Sequence, residues 1–292
     1  MSNSYNTTIY KFSGAGNDFV VLDGRQGGVE DFRWTETISA LCREYRTDGL
    51  MILGPAPTVI SSEAEKSPYD FGMEFYNPDG SGGMMCGNGG RCIVAFADRL
   101  GLKPASPDGT WHFLAPDGPH EAIILERGTN PVKWTVKLKM IDVEGVKPMM
   151  GGYFLNTGTR HFVKFVRDIE GIDMEKDGPE LRWDEAFQPE GTNANFVQVT
   201  ADGLLVRTFE KGVEAETLAC GTGITASAIA ACYAGIPGHA GNDGQAGKDG
   251  GVARAQNYHL QCRRGDWLQV AFQKQGDRYT DVYLTGPAEL IR

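Results

Sequence analysis

Met85-Cys86-Gly87-Asn88-Gly89 and Ala219-Cys220-Gly221-Thr222-Gly223 decide the reading of this chain: in each, a cysteine is followed by Gly-x-Gly and then by an apolar run with helical spacing. A thiol at a helix start sits against unpaired backbone N–H groups and the positive end of the helix dipole, where its thiolate is best stabilised. Such a cysteine is poised to take or give a proton. One in each half of the chain predicts paired acid–base chemistry on opposite faces of one substrate.

Outward from the first cysteine, Ile93, Val94, Phe96, Ala97 and Leu100 mark a helix closed by Gly101. Upstream, Phe71 to Tyr76 reads as a strand running into the turn Asn77-Pro78-Asp79-Gly80, and Gly49 to Leu53 as another strand. The opening segment IYKFSGAGNDFVVLD, from Ile9, reads as strand, Gly-rich turn, strand, and Thr35 to Arg43 as a helix. Outward from the second cysteine the order recurs. YFLNTGTRHFVKFV, from Tyr153, resembles the opening segment; TNANFVQVT and LLVRTFEKG are strands; ITASAIAACYA, from Ile224, is apolar on nearly all sides and predicts a centrally buried helix. Phe75 precedes Cys86 by eleven residues and Phe209 precedes Cys220 by eleven. A duplication accounts for this and predicts two like-folded α/β domains with a cleft between them. The terminal DVYLTGPAELI is expected to close the sheet of the first, giving domains 1–131 plus 279–292 and 132–278. The Gly-rich stretch 235–251 reads as a mobile surface loop.

The totals narrow the partners. With 292 residues and 41% hydrophobic content the chain affords a sizeable core. A net charge of −10 argues against nucleic acid and anionic membrane surfaces, which need clustered Lys and Arg, and for a small-molecule substrate. Neither a signal peptide nor a bilayer-spanning run is visible, so the expected location is the cytoplasm. Six cysteines without a Cys-x-x-Cys pair suggest neither a disulfide framework nor a zinc site; Cys42, Cys92, Cys232 and Cys262, among apolar neighbours, read as buried hydrophobes.

The blocks SGAGNDFVVLD, FYNPDGSGGMMCGNGGRC, GTNANFVQV, FEKGVEAETLACGTG and LTGPAE, in this order, resemble the diaminopimelate epimerases. These cofactor-independent enzymes interconvert LL- and meso-diaminopimelate for lysine and peptidoglycan synthesis. The resemblance implies two pseudo-symmetric α/β (α+β) domains, each a curved sheet wrapped around a central helix, with substrate between them. No cofactor and no metal are expected; a homodimer is one assembly open to the chain, and the sequence does not decide it.

Inverting an α-carbon requires removing a proton from one face and returning one to the other, which a single base does not easily do. Cys86 and Cys220 are the expected catalytic pair, one as thiolate and the other as thiol, exchanging roles for the reverse reaction. The carbanion spreads into the adjacent carboxylate, so backbone N–H groups at the two helix starts are the needed stabilisers. Gly87, Asn88, Gly221 and Thr222 are the candidates. Either Gly-x-Gly alone is read as a tight turn; the matched pair is read as an anion site. The resemblance adds Asn17, Asn77, Thr159 and Asn193 at substrate-binding positions, Glu210 for the substrate ammonium and for tuning the thiols, Lys211 for the distal carboxylate, and His161 as a second tuning residue.

Three departures stand out. Lys211 replaces the family's usual Arg and loses its bidentate fork. Gly158-Thr159-Arg160-His161 stands where GNPH is usual, so Thr159 replaces an amide, and Arg160 is a candidate for reaching the distal carboxylate. Asp48-Gly49 stands where some relatives place a Gln ligand, and no role is assigned there. Proline and hydroxyproline racemases share the two-thiol logic but carry His at the position of Asn88 and lack the Glu-Lys pair. A redox protein with a reversible Cys86–Cys220 disulfide is the non-enzymatic rival.

Overall fold

A computed structural model describes residues 7–57, 67–83, 85–129, 132–238 and 254–291. From position 239 on, the Gly-rich stretch expected as a surface loop lies outside the described residues. Two compact units divide the chain: Met1–Leu138 with Gly286–Arg292, and Lys139–Thr285.

In the first unit, β1 (Tyr10–Gly14) and β2 (Asn17–Asp23) form a hairpin. Its turn, Ala15-Gly16, has positive φ at both residues, 54° and 111°. Helix α1 (Thr35–Tyr45) follows, burying Ile38, Leu41 and Cys42 against Val20, Leu22, Leu50 and Ile52. It leads to β3 (Gly49–Gly54), parallel to β2, and β4 (Phe71–Tyr76) runs back antiparallel to β3. Helix α2 (Gly87–Arg99) comes next, and then β5 (Thr110–Ala115) beside β4, β6 (Gly118–Thr129) and β7 (Val132–Lys139). The last strand of the chain, β17 (Arg278–Leu290), pairs through its end with both β7 and β1, closing a ring of eight strands. Every residue of α2 from Gly87 to Ala97 is buried. A helix hidden on all faces belongs inside the ring, and the Phe96 ring accordingly meets those of Tyr10 and Phe12 at 5.0 and 5.7 Å.

The second unit opens with β8 (Val143–Glu144) and β9 (Lys147–Met149), followed by the hairpin β10 (Gly152–Asn156) and β11 (Arg160–Val166). Gly158 in this turn has φ 106°, close to that of Gly16. A connection carrying α3 (Asp177–Arg182) leads to β12 (Asn193–Val199), parallel to β11, and β13 (Leu204–Glu210) runs antiparallel to β12. After the short β14 (Ala215–Thr217) comes α4 (Gly221–Tyr233). Then β15 (Arg254–Gln261) lies parallel to β13, and β16 (Trp267–Gln275) and the first part of β17 add antiparallel strands. This is the pairing order of the first unit repeated: hairpin, parallel return, antiparallel strand, cysteine, buried helix, parallel strand, two more antiparallel strands. In α4, Gly221 and every residue from Gly223 to Cys232 are buried, most of them Ala, Ser or Thr, so the strands approach this helix closely.

Candidate active site

Cys86 is the N-cap of α2, with extended backbone (φ −95°, ψ 150°), and its Sγ accepts the Gly89 N–H at 3.2 Å. The helical ladder starts with the Gly90 N–H bonding the Cys86 carbonyl at 2.8 Å, so the amides of Gly87 and Asn88 precede its first bond. Glycine at 89 keeps the sulfur close: a β-carbon there would meet Cys86 Sγ at 3.3 Å and Met51 Sδ at 3.2 Å. Asn88, buried, donates from Nδ2 to Oδ1 of Asn17 at 2.6 Å. Two expected substrate ligands on different elements are therefore held as a pair. Asn77 is engaged locally, its Nδ2 donating to Ser81 Oγ at 3.0 Å and its N–H to the Ser81 carbonyl at 2.9 Å.

Arg91, one turn along α2, is fully buried and did not figure among the sequence candidates. Its guanidinium donates to the Gly87 carbonyl at 3.1 Å, to Oδ1 of Asn88 at 2.8 Å, and to the carbonyls of Gly14 (3.4 Å) and Pro287 (3.3 Å). It fixes the first turn of the helix, and with it Asn88 and Asn17, to the strands on either side. The signal was present: a lone charge in a run of helix otherwise wholly apolar or Gly-rich.

Cys220 is the N-cap of α4 and is buried, but it caps differently. Its side chain takes no capping bond from a backbone N–H of the helix; instead Sγ lies 3.4 Å from the side-chain hydroxyl of Thr222 in the first turn. Three groups meet around that hydroxyl. Thr222 Oγ1 is 2.9 Å from His161 Nε2 and 3.1 Å from Thr159 Oγ1, while Thr159 Oγ1 is itself 2.9 Å from His161 Nε2. Burial pushes His161 protonation down to about 3, so the ring is neutral across the physiological range and carries one hydrogen. Its other nitrogen, Nδ1, faces Nδ2 of Asn195 at 3.1 Å. The ladder N–H of Ile224 bonds the Cys220 carbonyl at 2.9 Å, which leaves the amides of Gly221 and Thr222 ahead of the first bond, as at the other cysteine.

Asn193 bridges this cluster to the chain end of β13. Its Nδ2 donates to the Arg160 carbonyl at 2.8 Å, and its Oδ1 accepts the Lys211 N–H at 2.8 Å. Glu210, half-buried, ends β13 immediately before Lys211. Lys211 Nζ donates to the Glu190 carbonyl, and Arg160 Nη1 binds the Glu190 carboxylate at 2.6 Å while its guanidinium carbon sits 5.1 Å from the centre of the Phe154 ring. Arg160 and Lys211 thus converge on one residue. Asn195 and Thr208, also outside the sequence candidates, are buried beneath the Cys220 helix; the hint was that Asn195 lies two residues from Asn193 in a strand and so shares its face. The thiols of Cys42, Cys92, Cys232 and Cys262 are buried, and burial raises each above the ordinary cysteine range, as befits inert sulfurs.

No helix among the described residues is long and apolar enough to cross a membrane. A model of the diaminopimelate epimerase family matches residues 153–290. A protein of Flavobacterium psychrophilum described as diaminopimelate epimerase is 35% identical over 287 residues, covering 97% of each chain. One of Aquifex aeolicus with the same description is 38% identical over 295 residues, covering 95% of this chain and 93% of that one. Among solved structures, a phenazine biosynthesis protein of the PhzF family from Bacillus anthracis superposes with a TM-score of 0.66 at 12% identity, covering 97% of this chain and 96% of that one. A hydroxyproline epimerase from Agrobacterium vitis gives 0.57 at 14%, covering 100% and 94%. These structural likenesses show a shared two-domain α+β fold. The identity over nearly the full length shows more: the chain belongs to the diaminopimelate epimerase family.

Proposed function

We propose that this protein is an epimerase interconverting LL-diaminopimelate and meso-diaminopimelate in the biosynthesis of lysine and peptidoglycan precursors, with Cys86 and Cys220 as the proton-transferring pair and no added cofactor. The observation that carries the reading is the recurrence, in a chain 35% identical to a diaminopimelate epimerase over 287 residues, of one device in both units: a cysteine N-capping a buried helix. Each cysteine stands where helix-start amides precede the hydrogen-bonded ladder, an environment suited to negative charge on sulfur and on a nearby carboxylate.

On this reading the amides of Gly87, Asn88, Gly221 and Thr222 take up the charge that develops on the α-carboxylate once the proton is lost. Donors held in place before the reaction act without reorganising when the carbanion forms. Asn17, Asn77, Asn88, Thr159 and Asn193 orient the substrate, and Glu210 meets its ammonium. Lys211 and Arg160 supply positive charge for the distal carboxylate. The bond between Arg160 and the Glu190 carboxylate is the kind of contact such a ligand would replace, because a guanidinium binds one carboxylate much as it binds another.

The test is direct. Purified, reduced protein is given LL-diaminopimelate alone, and the stereoisomers are followed by chiral chromatography with and without a chelator. Conversion toward an equilibrium mixture, unchanged by chelator, is expected. Absence of conversion, or racemisation of free proline at a comparable rate, would overturn the assignment.

A further inference from the structure

The hydrogen-bond chain beneath Cys220 has a direction, and that direction follows from a single backbone carbonyl. Asn195 Nδ2 lies 3.0 Å from the carbonyl oxygen of Phe162, an atom that only accepts, so the amide nitrogen and not the oxygen of Asn195 must face it. The same nitrogen faces His161 Nδ1 at 3.1 Å with its second hydrogen, and Asn195 Oδ1 accepts the Thr208 hydroxyl at 2.9 Å. His161 Nδ1 is then an acceptor, and a neutral imidazole with an accepting Nδ1 carries its hydrogen on Nε2. That hydrogen points at the Thr159 and Thr222 hydroxyls, each 2.9 Å away.

We infer that Asn195, anchored by Thr208 and the Phe162 carbonyl, is a positioning residue that locks His161 as a donor to the Thr159–Thr222 hydroxyl pair and so leaves the Thr222 hydrogen for the sulfur of Cys220. This rests on the reading of Cys220 as a reacting thiol and deepens it. When the sulfur is a thiolate, Thr222 donates to it across 3.4 Å. When the sulfur is protonated, Thr222 turns its hydrogen to Thr159 Oγ1, 3.1 Å away, and accepts from the thiol. Apart from the proton that the sulfur gains or loses, only hydroxyl hydrogens turn, and no heavy atom is displaced. Thr159, where the family resemblance leads one to expect an amide, is the second acceptor that makes this possible. The two cysteines are thereby served by different donors, a fixed backbone N–H at Cys86 and a rotatable hydroxyl at Cys220.

Three measurements at one fixed neutral pH test the inference. Nitrogen-15 spectra of the histidine-labelled protein are expected to show His161 with a hydrogen-bearing Nε2 and a bare Nδ1; the reverse pattern overturns the proposal. In a Cys86→Ser background, alkylation of Cys220 by iodoacetamide is expected to slow about tenfold in Thr222→Val, the equivalent of one hydrogen bond to a charged group, and to recover in Thr222→Ser. Equal rates in the Val and Ser variants overturn it. Asn195→Asp, near in shape but an acceptor at both oxygens, is expected to invert the His161 pattern and, in an otherwise unaltered chain, to lower kcat about tenfold with KM within about twofold; should it fold poorly, Thr159→Val against Thr159→Ser gives the same kcat contrast, and equality of that pair overturns the proposal. The spectra and the alkylation need no substrate. A protein that passes both yet leaves diaminopimelate unchanged sinks the assigned activity and spares the inference.

Discussion

Gly223, in the first turn of α4, stands directly over Asn195 of β12: a β-carbon built on it would meet Asn195 Oδ1 at 2.5 Å and Thr208 Oγ1 at 3.2 Å. The helix that begins at Cys220 therefore seats on the strand pair Asn195–Thr208, which face each other across the ladder, because position 223 has no side chain. The last glycine of Cys220-Gly221-Thr222-Gly223 is a packing requirement set by a residue nearly thirty positions earlier.

Gly223→Ala is accordingly expected to destabilise the protein by about 1–3 kcal/mol, the usual cost of forcing atoms into a filled core, and to disturb the bonds around His161. Denaturant midpoints check this. Gly82→Ala is the control, since nothing lies within 4 Å of the position its β-carbon would take, and a change within about 0.5 kcal/mol is expected there.

Acid stability should report His161. Its folded-state protonation lies near 3, below the unfolded value of 6.5, because burial penalises the charged ring. Between these two values the unfolded chain binds one more proton than the folded one, so this residue makes stability fall as pH drops below 6.5, by at most about 1.4 kcal/mol per pH unit. Equilibrium unfolding of wild type and His161→Gln between pH 4 and 7 should differ by that slope. Parallel curves would refute the assignment of a buried neutral ring.

Arg91→Met keeps the length of the side chain and removes its donors. The carbonyls of Gly87 and Pro287 and the side-chain oxygen of Asn88 then lose the partner that the guanidinium supplies. A loss of about 2–4 kcal/mol in unfolding free energy is expected. Because Asn88 and Asn17 are held in the same chain of bonds, loosening of the first turn of α2 should also appear as faster amide hydrogen exchange there than in α4.

How much of this was readable beforehand follows from particular residues. The strand Phe71–Tyr76 was legible because Phe71, Met73 and Phe75 alternate along it, and the two buried helices because each carries a dense run of small or apolar residues, 93–97 and 224–232. The hairpin at Gly158 was legible through its likeness to the one at Gly16, and the two glycines do share a left-handed backbone. β15, Arg254–Gln261, was not read as a strand: its polar sequence RAQNYHLQ buries only Tyr258 and Leu260, too few for a periodic signal. β5 and β6 also escape a sequence reading; β6 buries only Ala122 and carries its apolar residues in one block, Ala122 to Leu125, so no alternation marks it as a strand. In the site, the cysteines and their glycines announce themselves locally. Arg91, Asn195 and Thr208 act across strands, through partners from 13 to 196 positions away, and no local window contains those pairs.

Arg160 and Glu190 give a prediction about affinity. If the distal carboxylate of the substrate takes over the contact now made by Glu190, Arg160→Ala should raise KM for diaminopimelate by roughly tenfold with kcat little changed. Glu190→Gln, which frees the guanidinium, should leave KM equal or lower. Steady-state kinetics on the two variants decide, and an unchanged KM in Arg160→Ala would assign the ion pair to structure alone.

The central claim is that two thiols exchange protons with one α-carbon, and isotope transfer reads it most directly. LL-diaminopimelate incubated with the reduced protein in deuterated water is expected to yield meso product carrying one solvent deuterium at the inverted centre. Cys86→Ala and Cys220→Ala should each lower the rate of inversion by about 10²-fold or more. Inversion that keeps the original hydrogen, or that survives either substitution undiminished, would contradict the account.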